Sequence, residues 1–133
     1  MSTRVLFIVV MACAGVSLEQ GGARTVRDRV YSEDQAAKGK TSYDNQCSTC
    51  HEGGGMGPVL KGTEFLSSWE NKTLRSLYSR ILTTMPSDAP GTLSEQEVLD
   101  IVTYLISANG FPPGDKALEK PDELNDITIV SPE

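Results

Sequence analysis

Apolar residues at Val98, Ile101, Val102, Leu105 and Ile106 recur every three or four positions, the spacing that lines one side of a helix. Ser94-Glu95-Gln96-Glu97 stands in front of them as a capping box, Asn109-Gly110 closes the run, and Pro112-Pro113 prevents a restart. A second capping box, Ser32-Glu33-Asp34-Gln35, opens a helix of about four turns ending near Cys47, with Ala36, Gly39, Lys40 and Tyr43 toward one side. In that box the Ser32 hydroxyl is expected to take the N3 amide and the Gln35 side chain to return to the cap amide. Leu74, Leu77, Tyr78 and Ile81 predict a further helix capped by Asn71, and Thr63 to Trp69 a short helical piece before it.

Two breaks separate these elements. Gly53 to Pro58, GGGMGP, is neither helix nor central strand, because consecutive glycines lose too much backbone entropy and Pro58 lacks a donor. It reads as a loop that brings backbone close to something. Met85-Pro86 to Pro90-Gly91 interrupts the chain again. From Pro112 onward the sequence is acidic and proline-bearing, and the alternation at Ile127 and Ile129 suggests one extended segment lying against the surface. With no internal repeat and no strand-rich stretch, the fold class is all-α.

The N-terminus reads as an export signal over residues 1–14. Met1 to Arg4 carries a positive charge, Val5 to Val16 is apolar, and Ala12-Cys13-Ala14 offers a cleavage site. The apolar run is too short to span a bilayer. Val10-Met11-Ala12-Cys13 also loosely matches a lipoprotein box, which would leave a lipid anchor at Cys13. Residues 15–31 have no period and are expected as a leader over the surface, residues 32–111 as the folded domain, and residues 112–133 as an acidic tail.

A chain of 133 residues has room for one domain. Three Phe, four Tyr and one Trp form a lean apolar inventory, which a bound prosthetic group would help to complete. Removing residues 1–14 takes away Arg4 and no acid, moving the formal charge from −6 to −7. No cluster of Lys and Arg appears, so nucleic acid is not a partner on this reading. The acidity serves solubility by default, and steering toward a basic patch on a partner is the sharper alternative.

Three cysteines are an odd number, resolved if Cys13 leaves with the signal. The remaining pair sits in Cys47-Ser48-Thr49-Cys50-His51. A structural zinc site wants four protein ligands, and the mature chain offers two cysteines and one histidine. A thioredoxin-like redox pair belongs to a βαβ setting that this pattern lacks. CxxCH has a better use: two thiols add to the vinyl groups along one edge of a haem, while the next residue reaches the iron. The cofactor expected is therefore one covalent haem c, held by Cys47 and Cys50, with His51 as an iron ligand.

Over roughly residues 24–130 the chain resembles the short class I cytochromes c, in particular the single-haem domains and subunits associated with periplasmic dehydrogenases, including quinoprotein alcohol dehydrogenases. The segments that carry the resemblance are Gln35-Ala36-Ala37-Lys38-Gly39-Lys40 leading to Tyr43, Cys47 to His51, Gly57-Pro58-Val59-Leu60-Lys61-Gly62, Thr83-Thr84-Met85-Pro86, Pro90-Gly91-Thr92-Leu93, and Tyr104-Leu105 ahead of Asn109-Gly110-Phe111-Pro112. The resemblance implies a class I cytochrome c fold of four to five helices and loops around one haem. It sets Gly39 and Tyr43 of the first helix against the Tyr104 face of the last, and gives the second ring nitrogen of His51 to the Pro58 carbonyl.

Two methionines compete for the sixth iron position. Met56 follows His51 by five residues, on the loop that serves the histidine side, and starts on the wrong face of the ring. Met85 lies thirty-four residues beyond His51, enough chain to wrap the haem, and the family's Met-Pro segment agrees with it. Met85 is thus the expected second axial ligand. Trp69 and Arg80 are candidates to hydrogen-bond a haem propionate, alongside their ordinary readings as core and exposed charge. The function implied is a periplasmic electron carrier, not an enzyme, cycling Fe(III)/Fe(II) between redox protein partners, with a dehydrogenase as donor and a cytochrome or oxidase as acceptor. The rival is a sensor or peroxidase-like protein with an open iron position.

Overall fold

The structure is a computed structural model and describes residues 23–52 and 55–132. The expected export signal at 1–14, with Cys13, lies outside the described residues, as do Gly53 and Gly54 of the glycine loop. In order, the elements are strand β1 (Arg24–Thr25), helices α1 (Glu33–Gln46), α2 (Ser48–His51), α3 (Gly62–Trp69), α4 (Leu74–Thr84) and α5 (Glu95–Ala108), a 3₁₀ helix (Pro121–Asp126) and strand β2 (Ile127–Thr128). With 53% of the described residues in helix and 6% in strand, the class is all-α.

Helix α5 is the centre of the molecule. Its capping box is complete: Ser94 Oγ accepts from the Glu97 amide at 3.3 Å, and the Ser94 amide donates to Glu97 Oε2 at 2.9 Å. These bonds to the charged carboxylate hold the Glu97 pKa below its usual range. Every residue from Val98 to Ile106 is buried, not only the apolar stripe that the spacing announced, because α1, α4 and the terminal segments close on it from several sides.

The closest of these approaches is the crossing of α1 and α5. The buried positions of α1 are Gln35, Ala36, Gly39 and Tyr43, one stripe at helical spacing. At Gly39 the two backbones nearly touch: a Cβ there would lie 1.8 Å from the Asp100 carbonyl oxygen. One turn on, the Tyr43 and Tyr104 rings meet at 4.9 Å between centroids, tilted by 52°. Gly39 and Tyr43 therefore pack against the Tyr104 face of the last helix.

Three expectations are corrected. Ser32 Oγ caps α1 by accepting from the Gln35 amide, but the Gln35 side chain does not return to the cap. It is buried, donates to Asp100 Oδ1 at 3.1 Å and to the Leu118 carbonyl at 2.8 Å, and accepts from the Leu118 amide at 2.8 Å. A chain segment with both backbone groups to satisfy competes successfully with the cap. Asn71 does not cap α4; Thr73 does, its Oγ1 accepting from the Ser76 amide at 3.2 Å. Asn71 instead takes a left-handed turn at φ 64, a conformation asparagine tolerates, and its amide donates to the Ile129 carbonyl at 2.8 Å.

The third correction concerns the chain ends. Residues 23–31 are not simply a surface leader, nor is the tail laid along the surface. β1 and β2 pair in parallel, Arg24 opposite Ile127 and Thr25 opposite Thr128. Val26, Val30 and Tyr31 from one end, and Leu118, Leu124, Ile127 and Ile129 from the other, are buried in the same core as the helices. The Tyr31 hydroxyl donates to the Phe111 carbonyl at 2.6 Å, fixing the first segment to the end of α5.

The crossing yields a test of sign. An alanine in place of a mid-helix glycine ordinarily gains about 0.5–1 kcal/mol, whereas overpacking costs about 1–3 kcal/mol and more where backbone must move. Gly39→Ala is expected to lower stability by about 2 kcal/mol or more in denaturant titrations. A stabilised variant would mean that the helices do not approach as described.

Candidate functional site

Helix α1 delivers the chemistry at its end. The Cys47 amide still donates to the Tyr43 carbonyl at 2.8 Å, and the chain then turns into the single turn of α2, with Cys50 and His51 amides donating to the Cys47 carbonyl at 3.1 and 3.0 Å. Cys47, Cys50 and His51 are thereby gathered on one turn, each half-buried and both cysteines free thiols. Burial, with the neighbouring Cys50 thiol adding to it, pushes the Cys47 pKa up to about 11. A redox-active CxxC pair works through a depressed thiol pKa, so this environment suits a neutral thiol and not a thiolate nucleophile. Among the described residues no group of three or more His, Cys, Asp or Glu gathers as a metal site.

The loop after α2 folds back over His51. The Gly57 amide donates to the Cys50 carbonyl at 3.0 Å, and His51 Nδ1 lies 2.7 Å from the Pro58 carbonyl oxygen. A carbonyl can only accept, so Nδ1 carries the proton, and in the neutral ring the lone pair is left on Nε2. Gly57 is required at close quarters: a Cβ there would sit 2.6 Å from His51 Cε1 and 2.7 Å from Nδ1. The imidazole is thus wedged against backbone, its tautomer set and its free nitrogen directed elsewhere.

The far end of the loop is held by Asn109. Its Nδ2 donates to the Leu60 carbonyl at 3.0 Å and to the Leu105 carbonyl at 2.8 Å, and its Oδ1 accepts from the Gly62 amide at 2.8 Å. Lys61, between those two loop residues, pairs with Glu52 at 3.1 Å. The sequence marked Asn109 only as a helix stop; nothing in its spacing indicates a side chain clamping a segment 47 residues earlier. Gly57 could have been found, since a glycine loop following CxxCH already implies close backbone approach.

Met85 caps the C-terminus of α4 in extended backbone, φ −121 and ψ 151, as its following proline demands. Its side chain is half-buried against the core, whereas Met56 is 95% exposed. Trp69 is half-buried beside Phe65, ring centroids 6.5 Å apart, with the Lys72 ammonium 5.1 Å above it; Arg80 is exposed on α4.

The residues present fit a covalent haem. The donor set is a proton-fixed imidazole, two free thiols on the same turn, and a half-buried thioether on a separate segment. The Tyr43 and Tyr78 hydroxyls, moreover, are buried without a hydrogen-bonding partner among the described residues, a cost of about 1–3 kcal/mol each unless a further group meets them. Burial, then the Glu52 carboxylate, raise the Tyr43 pKa, and burial does the same for Tyr78.

The CxxCH turn at the end of one helix, in an all-α fold whose first and last helices cross at a glycine, defines a class I c-type cytochrome. More narrowly, the chain belongs to the family described as cytochrome c oxidase, cbb3-type, subunit III, whose model matches residues 34–105, and its cofactor is one covalently bound haem c. No significant match was found among curated proteins or solved structures. The matched span contains Cys47, Cys50, His51, Pro58 and Met85, and stops short of both segments that form the parallel strand pair.

Gly57→Ala should drive a methyl into the His51 ring and cost about 1–3 kcal/mol, read as a lowered denaturation midpoint of the haem-loaded protein followed by haem absorbance. A wild-type midpoint would show that the imidazole does not rest on this loop.

Proposed function

We propose that this haem-based electron carrier anchors its haem through Cys47 and Cys50 and ligates the iron with His51 and Met85. The observation that carries the reading is the 2.7 Å contact of His51 Nδ1 with the Pro58 carbonyl, which reserves Nε2 for a metal and raises its basicity. Bound haem c supplies the one-electron Fe(III)/Fe(II) couple. The chain's own residues do the rest: Cys47 and Cys50 tether, His51 is oriented by Pro58 and Gly57, and the Met85 thioether favours the ferrous state and raises the potential. Among the described residues no nucleophile and general-base pair stands beside the site, and the half-burial of Met85 supports a filled sixth position over an open one.

Export to the periplasm follows from the signal-like residues 1–14, with retention by a lipid at Cys13 as the variant of that route. No helix among the described residues is long and apolar enough to cross a membrane. A dehydrogenase is the proposed donor, from the resemblance of the sequence; the family's description supports an oxidase on the acceptor side.

Covalent attachment is tested by extraction into acidified organic solvent: haem should stay with the wild-type chain and be lost from the Cys47→Ala, Cys50→Ala variant. Wild-type chain that releases all its haem contradicts thioether bonding. For the sixth ligand, Met85→Ala should open the iron to carbon monoxide and lower the reduction potential, while Met56→Ala should change neither. The reverse pattern would exchange the two methionines' roles.

A further inference from the structure

We infer that Asn109 is a positioning residue that tunes the reduction potential through the loop carrying Pro58. The inference rests on the proposed ligation by His51. Asn109 is 8% exposed and stands at the end of α5, the most enclosed helix in the molecule. Its amide spends every strong bond on two targets. One is its own helix, through the Leu105 carbonyl; the other is the loop, through the Leu60 carbonyl and the Gly62 amide. Those two loop groups flank Lys61, and Leu60 is two residues from Pro58.

The loop has no regular secondary structure from Gly55 to Lys61, and Met56, Pro58 and Val59 are exposed. Packing alone does not hold it. The bonds among the described residues that fix it are the Gly57 amide to Cys50, His51 to Pro58, Lys61 to Glu52, and the Asn109 clamp. The Lys61–Glu52 pair is a surface contact of small worth. The clamp is the better shielded of the two, its bonds to Leu60 and Gly62 part-buried and Asn109 itself buried, so its loss would leave the half-buried Leu60 carbonyl without its partner.

A ligating imidazole becomes a stronger donor as its Nδ1 proton is drawn toward an acceptor, and a stronger donor favours the ferric state. Asn109 therefore holds the potential down by keeping the Pro58 carbonyl against His51. Releasing the clamp lengthens the Nδ1 bond on average, weakens the donor and moves the couple toward ferrous iron.

The test is potentiometric titration of the haem-loaded protein, paired with NMR of its diamagnetic ferrous form. In Asn109→Ala the ratio of reduced to oxidised protein at fixed ambient potential should rise about threefold or more, on the scale of the effects that partners of a metal ligand exert. Exchange of the His51 Nδ1 proton with solvent should accelerate. Asn109→Ser, too short to reach Leu60 but gentler on the helix end, should shift both in the same direction should the alanine variant fail to fold. Ile127→Ala, which truncates a buried side chain in the strand pair, should lower the denaturation midpoint and leave the potential and the exchange rate at wild type. Wild-type potential and exchange in a folded Asn109 variant, or an equal shift in Ile127→Ala, would overturn the inference. A His51→Ala protein that keeps the wild-type haem spectrum would instead overturn the ligation on which it rests.

Discussion

Two helix backbones can lie in contact only where a side chain is missing, and in this molecule that place is Gly39. The carbonyl of Asp100 occupies the space a Cβ would need, so α1 and α5 are locked at one point with little freedom to slide or rotate. Both arms of the site run outward from it. Along α1, two turns lead to Cys47 and the turn bearing Cys50 and His51. Along α5, a little over two turns lead to Asn109, which grips the loop carrying Pro58. The histidine and its acceptor, seven residues apart on one stretch of chain, meet at 2.7 Å, and the far end of the loop between them and α3 is held from α5 by Asn109.

The arrangement separates stability from electronics. The centre of the protein is ordinary apolar packing around α5, with Tyr43 and Tyr104 filling the gap beside the glycine contact. The half-buried turn, exposed loop and extended Met85 segment contribute little packing of their own. They are held at their ends by hydrogen bonds from the rigid part, which suits a group that must keep one geometry in two oxidation states. An electron carrier needs little rearrangement when its charge changes, and a histidine pressed against Gly57 and bonded to the Pro58 carbonyl has little room to rearrange.

The helices and the CxxCH turn were legible in the sequence because their causes are local. Ser94 and Glu97 are three residues apart, the Val98 to Ile106 pattern sits within one helix, and Cys47 to His51 is contiguous. Misreadings came where a distant group outbid a near one. Gln35 bonds Leu118 instead of its own cap, and α4 is capped two residues later than expected, by Thr73, while Asn71 takes a left-handed turn whose backbone amide bonds Ile129. The parallel pairing of residues 24–25 with 127–128 was invisible for the same reason: two-residue strands carry no period, and a pairing between chain ends leaves no mark in either alone. Asn109 belongs to this group, since a residue that stops a helix looks the same whether or not its side chain reaches across.

The proposed ligation holds a single haem between the His51 imidazole and the Met85 thioether and leaves no open coordination position. X-ray absorption at the iron edge of the purified protein reads the ligand atoms directly, in both oxidation states and without a variant. This ligation predicts five nitrogens and one sulfur around iron, ferric and ferrous alike. A shell without sulfur, or with an oxygen in its place, would contradict it.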